Sequence, residues 1–220
     1  MAWAPLPEKV TLTLHPPQPR AFHLHPEKTT LVVVDMQEHF VKPGARSGAV
    51  VEGNIRLLEK ARAAGVKVIF VQTVRDPNAP ATSRFANEHD LDAGSPGTEI
   101  IDDLTPQPNE IVVTKHGNDP FARTELDQIL QKESILPTMN TIIVTGISAG
   151  ANSGVLGFNC RHYLTLVPMD CQAEDTVEEE ALIYAKYGEN SYEFTLSEMI
   201  EFSPQGLSTW ETVRPHARQY

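Results

Sequence analysis

Leu31-Val32-Val33-Val34-Asp35 decides how this chain is read: four apolar residues in a row, three of them β-branched, closed by a carboxylate. A short continuous apolar run of this kind suits a strand buried on both faces of a parallel sheet, and in such sheets ligands bind at the carboxyl ends of the strands. Two further runs have the same form. Residues 111–114 stop at Lys115, and residues 142–145 stop at Gly146 and the small-residue turn Ser148-Ala149-Gly150. An acid, a base and a glycine-rich turn are therefore expected at one edge of the sheet.

Outward from this stretch, strands alternate with helical patterns, as in βαβ units. Val51, Ile55, Leu58 and Ala61 recur at helical spacing, and Gly65 stops that helix before a strand at 66–71. The connection is expected to be a right-handed crossover. Residues 74–110 show little periodicity and carry several Pro and Gly turns, and a long loop inside a compact domain is more often functional than idle. Thr124 with Asp127, Thr176 with Glu179 and Thr195 with Glu198 form capping boxes that predict helices through Leu130, near 177–186 and near 196–202. A further helix through Val155, Leu156 and Phe158 follows the glycine-rich turn, and a strand at 164–169 ends in Asp170. The expected fold is three-layer α/β/α, with a mainly parallel sheet of five or six strands. Residues 1–28 hold six prolines and three of the eight histidines, a composition that resists regular helix. They read as an arm packed on the surface or on a partner subunit, ahead of one α/β domain at 29–220.

The 220 residues carry a net charge of -11. That balance argues against a nucleic-acid footprint or attachment to an anionic membrane, since both favour basic patches. No apolar run approaches the roughly 20 residues of a membrane-spanning helix, and residues 1–20 lack the apolar core of a signal peptide. The expectation is a soluble cytoplasmic protein. Two cysteines, Cys160 and Cys171, read as free thiols.

Asp35 has two readings on its own sequence context. A carboxylate at a sheet rim is partly desolvated, which raises its pKa, and a nearby lysine lowers it, so the pair is tunable for proton transfer. Asp after a strand also caps turns. Lys115 reads either as the partner of an anion or as a side chain snorkelling past the sheet edge. If their strands are parallel neighbours, each becomes the other's partner. The turn at 146–156 is either a plain strand-to-helix turn or a place where backbone N–H groups hold an oxyanion or carboxylate. His39, His89 and His116 show no metal-ligand spacing, so neither metal nor cofactor is expected.

Leu31-Val-Val-Val-Asp35-Met-Gln-Glu-His-Phe40 resembles the opening motif of the isochorismatase-like hydrolases, the cysteine hydrolase superfamily that includes nicotinamidases and N-carbamoylsarcosine amidases. Gly94-Ser-Pro-Gly97-Thr-Glu resembles the superfamily's loop before the lysine strand. Val113-Thr-Lys115, followed by Phe121 and Thr124-Glu-Leu126, resembles its lysine motif, and Ile142-Ile-Val-Thr-Gly146 the strand before its nucleophile turn. The resemblance implies an isochorismatase-like, Rossmann-type sheet and a triad of Asp, Lys and Cys acting on an amide or similar carbon. It makes Asp35 the general acid/base and Lys115 its partner, with a cis peptide near Ile147-Ser148 or Ser148-Ala149. Gln37, Phe40 and Phe121 become candidates for substrate binding. It also implies a small-molecule substrate and a homo-oligomer, dimer or tetramer.

The third member of the triad is where this sequence departs. Counting forward from Gly146 places the family's cysteine at Asn152, counting back from Tyr163 and Asp170 at Gly150, and matching Val155-Leu156 at Gly154. None is Cys. Cys160 lies seven residues past Ser153, roughly 10 Å further along the helix, and reads as a packed thiol. The nucleophile-turn candidates are thus Ser148, Gly150, Asn152, Ser153 and Gly154. The leading expectation is acid-base chemistry by Asp35 and Lys115 on a small organic substrate without a cysteine nucleophile. Two alternatives stand beside it: a non-catalytic member that binds a small molecule or protein, and an amidase using Ser153.

Overall fold

The apolar runs at 31–34 and 142–145 become strands with a covering layer on both sides, whereas the run at 111–114, expected to be buried on both faces, forms an edge strand with Val112 42% exposed. The structure, a computed structural model, describes residues 11, 13, 15, 17–41, 45–80, 82–132, 140–147, 153–174, 176–187 and 192–206, with the backbone alone at 45–46, 153–156 and 186–187. In chain order the elements are β1 (Phe22–Leu24), β2 (Thr29–Val34), α1 (Ala45–Ala64), β3 (Lys67–Thr73), β4 (Ile111–Lys115), α2 (Leu126–Lys132), β5 (Thr141–Ile147), α3 (Ser153–Cys160), β6 (Leu164–Pro168), β7 (Gln172–Ala173), α4 (Val177–Tyr187), β8 (Glu193–Thr195) and β9 (Ile200–Phe202). The main sheet has seven strands in the order β4-β3-β2-β5-β6-β8, with β7 joined to β5 beyond the end of β6. All its pairs are parallel.

Alternation along β2 shows the layering. Leu31 and Val33 pack with Leu57, Leu58 and Ala61 of α1, while Val32 and Val34 pack with Leu126, Leu130, Phe158 and Tyr184 on the opposite face. The result is the three-layer α/β/α fold expected, with burial of each such side chain stabilising by about 1.5–3 kcal/mol. Gly65 ends α1 as expected: at φ +73 it takes a conformation few other residues adopt, and the N–H groups of Gly65 and Val66 donate back to Arg62 and Ala61.

Four features differ from the sequence reading. The chain enters the fold before residue 29, because Phe22 and Leu24 are buried and β1 pairs in parallel with β9 in a separate two-stranded sheet. The main sheet gains strands from the short segments β7 and β8, too brief to carry a period. The helix expected near 196–202 is instead a single 3-10 turn, Ser197–Met199, between two strands. Its carbonyls are already taken, since Lys60 Nζ donates to Ser197 O, Glu198 O and Ile200 O at 3.3, 3.2 and 3.0 Å. Tertiary bonds there replace the intrahelical ones. In the Thr124 box, Leu126 N donates to the Thr124 hydroxyl, but Asp127 turns away to hold Arg161 at 2.9 and 3.1 Å.

Among its described residues the segment 74–110 contributes no strand, but it is anchored. Leu91 and Leu104 are fully buried, Phe85 is buried, and Ile100 bridges Gln37 in antiparallel fashion. It passes over the carboxyl end of the sheet, where the candidate residues lie.

Candidate active site

Parallel pairing aligns the strand ends. Val34 is in register with Val71 on one side and Gly146 on the other, so Asp35 emerges beside the start of the glycine-rich turn. Gly146 is required there: at φ +117, a Cβ would lie 1.8 Å from Val34 O. Alternation would send Asp35 to the α1 face with Val33. Its φ of +55, a left-handed conformation Asp tolerates better than most residues, turns it out of that alternation while its N–H still donates to Val71 O at 2.8 Å.

The carboxylate meets Lys115, with Nζ 2.8 Å from Asp35 Oδ2 and side-chain exposures of 2% and 10%. Their strands are not neighbours, the condition under which the sequence reading paired them; β3 runs between β4 and β2. Lysine's length matters for this reason, since two strand spacings of about 4.8 Å separate the backbones. The Lys115 ammonium donates to Thr73 Oγ1 at 2.7 Å and Gly117 O at 3.1 Å, so with Asp35 its three protons are all engaged. Thr73 Oγ1 in turn donates to Asp35 Oδ1 at 2.8 Å. Burial pushes the Asp35 carboxyl above its ordinary range, against the pull of Lys115, Thr73 and the more distant Arg84. A carboxyl so placed can hold a proton to higher pH than a surface acid and release it to a substrate.

Of the proposed binding residues, Gln37 is fully buried. Its amide donates to Thr73 O at 2.9 Å and Thr98 O at 3.0 Å and accepts from Thr73 N at 2.6 Å. Phe40 meets Phe85 edge-on at 6.2 Å, and the Phe85 ring lies 5.9 Å from Lys115 Nζ, forming an aromatic wall by the pair. Phe121 packs against Phe158 at 4.9 Å and under the Arg161 guanidinium at 3.6 Å. Ser148, Gly150 and Asn152, with the expected cis peptide, lie outside the described residues. Ser153 and Gly154 open α3, described there by backbone alone.

Cys160 is exposed rather than packed, at the far end of α3, and Cys171 is buried. Burial, with Asp170 beside it, pushes the Cys171 thiol well up. His39, His89 and His116 each have a partner. His39 Nδ1 lies 3.0 Å from Asp90, His89 Nδ1 3.3 Å from Asp92, and His116 donates to Val74 O at 2.7 Å. Among the described residues no group of three or more His, Cys, Asp or Glu side chains could hold a metal ion.

Thr73 and Phe85 escaped the sequence reading. Thr73 follows two residues after the expected strand end, and its importance depends on strand order, which no local pattern encodes. Phe85 sits in the aperiodic segment, where position is set by long-range packing.

Comparison with known proteins bears on the same strand ends. The model of the isochorismatase domain matches residues 29–188. The chain is 33% identical over 168 residues to the ureidoacrylate amidohydrolase RutB of Serratia proteamaculans, covering 63% of this chain and 67% of that one. It is 31% identical over 161 residues to RutB of Methylorubrum extorquens, covering 60% and 62%. The match thus spans roughly two thirds of these relatives' length, falling short of it in the second. Among solved structures, a cysteine hydrolase from Pseudomonas syringae pv. phaseolicola superposes with a TM-score of 0.69 at 23% identity, covering 86% of this chain and 95% of that one. The N-carbamoylsarcosine amidase of Thermoplasma acidophilum gives 0.65 at 25%, covering 78% and 97%. With its domain matched over most of its length, the chain belongs to the isochorismatase family, within the isochorismatase-like hydrolase superfamily.

Proposed function

We propose that the protein is a hydrolase of a small organic substrate that works through Asp35 and Lys115 without a cysteine nucleophile. The observation that carries this reading is the buried 2.8 Å contact between Lys115 Nζ and Asp35 Oδ2, together with a carboxyl raised by burial. In a single hydrolytic step, Asp35 delivers its proton to the leaving atom as water adds to the electrophilic carbon, and the proton released by that water restores the acid. Lys115, with its donors committed, acts through its field and by orienting the carboxylate. Phe40 and Phe85 supply an apolar side to the site.

The relatives named ureidoacrylate amidohydrolases make ureido acids and other small amides the first substrates to try, with enol ethers beside them. The test is turnover of such a panel by the full chain and by Asp35→Asn, which keeps the side chain's shape but cannot supply the proton. A loss of about 10³-fold is expected, within the usual range for removing a general acid; an Asn variant that turns over at the wild-type rate would refute the reading. The same reading retains a homo-oligomeric, cytoplasmic protein, with light scattering in solution as the check on assembly.

A further inference from the structure

The acid and the base are separated by a strand, and the residue of β3 in register with Lys115 is Thr73. It is fully buried. Its hydroxyl accepts from Lys115 Nζ at 2.7 Å and donates to Asp35 Oδ1 at 2.8 Å. The direction of both bonds is forced, because an ammonium has only protons to give and an ionised carboxylate only lone pairs. Behind the hydroxyl, the Gln37 amide accepts from Thr73 N and donates to Thr73 O, reproducing with one side chain the two-way bonding of a neighbouring strand. A third bond, Gln37 Nε2 to Thr98 O at 3.0 Å, ties the same clamp to the segment that covers the sheet edge. The three groups of the relay are thereby held at the carboxyl ends of β2, β3 and β4.

We propose that Thr73, clamped by Gln37, is a positioning residue: its hydroxyl orients Asp35 and gives the Oδ1 atom a partner in both of the acid's protonation states. When Asp35 is ionised, the hydroxyl donates to Oδ1. When the proton sits on Oδ1, the hydroxyl oxygen accepts it through its remaining lone pair, the hydroxyl hydrogen rotating aside. Lys115 lacks this freedom, since it faces Oδ2 with N–H groups in either state. The proton is therefore directed to Oδ1, and Gln37 belongs to the positioning apparatus rather than to the substrate surface. The proposal rests on Asp35 being the acid, and its test is independent of turnover.

The experiment is a pH titration of the full chain labelled with ¹³C at the Asp carboxyls, with the Asp35→Asn spectrum assigning the Asp35 signal. Thr73→Val removes the hydroxyl at nearly constant shape, Thr73→Ala does so without added bulk should the valine fail to fold, and Thr73→Ser restores it. A hydrogen bond to the charged acceptor is about twice as strong as one to the neutral form, so its loss disfavours ionisation. The Asp35 midpoint is expected to rise by about one pH unit in the Val or Ala variant, and to stay at the wild-type value in Thr73→Ser. A midpoint unmoved in both Val and Ala, or moved equally in Ser, overturns the proposal. If the midpoint moves as expected while Asp35→Asn still turns over substrate, the relay stands and the catalytic reading of Asp35 falls.

Discussion

Asp35 and Asp170 carry the same signature, an apolar buried strand ending in an aspartate, and have different fates. Asp170, in the turn after β6, accepts from Ser197 N at 2.8 Å, from the Ser197 hydroxyl and from Arg56 Nη2 at 3.2 Å. It stitches α1 to the link between β8 and β9, and its side chain keeps 26% exposure. Asp35 accepts from one ammonium and one hydroxyl, is more deeply buried, and is pushed up in pKa. A carboxylate surrounded by donors from structural elements works as a staple. One given fewer donors and less water is poised to exchange a proton.

The contrast is broken most severely at Asp35. Asp35→Asn should lose about 10³-fold in turnover per folded molecule; its amide oxygen still accepts a hydrogen bond from Lys115 but no longer balances that buried charge, which lowers stability as well. Asp170→Ala should do the reverse. It leaves Ser197 N and the Ser197 hydroxyl without their acceptor, Arg56 keeping its bond to Ser197 Oγ, and is expected to cost about 1–3 kcal/mol in denaturant unfolding, with turnover per folded molecule largely kept. A variant at 170 that lost turnover but not stability would erase the distinction.

The pH dependence of stability sharpens it further. Folding raises the Asp35 pKa above its ordinary 3.8, so the folded chain binds more protons than the unfolded one between that value and the folded pKa. Wild-type stability relative to Asp35→Asn should therefore fall as pH rises through this window, an effect smaller than either substitution above. Denaturant melts of both proteins across the acid range measure it, and a relative stability that rises with pH contradicts the burial argument. The smallest effect is expected at Cys160, exposed and outside the pair. Cys160→Ser should alter stability by no more than about 0.5 kcal/mol.

The strands that carry the site were legible because each is a continuous apolar run, and such runs have few ways to be buried. Asp35, Lys115 and Gly146 could be placed at one edge since parallel pairing aligns strand ends. What lay between them could not. Whether β3 separates β2 from β4 is a matter of strand order, and Thr73 matters only because of it. Gln37 looked like a pocket residue by motif, yet its amide is engaged by the backbone of Thr73 and Thr98, partners 36 and 61 residues away. The Thr195 and Glu198 box misled for a related reason. A local capping pattern lost to Lys60 and Asp170, distant side chains that claimed the backbone and the serine first. By contrast the Thr176 and Glu179 box formed as read, with Glu179 N donating to Thr176 Oγ1 at 3.1 Å, where no distant group competes for that hydroxyl among the described partners.

The central claim, that a buried carboxyl rather than a thiol carries the chemistry, is tested most directly by assaying Asp35→Asn and Cys160→Ser side by side on the same hydrolysable substrate. The account predicts near wild-type turnover from the serine variant and about 10³-fold less from the asparagine variant. A dead Cys160→Ser beside an active Asp35→Asn would contradict it.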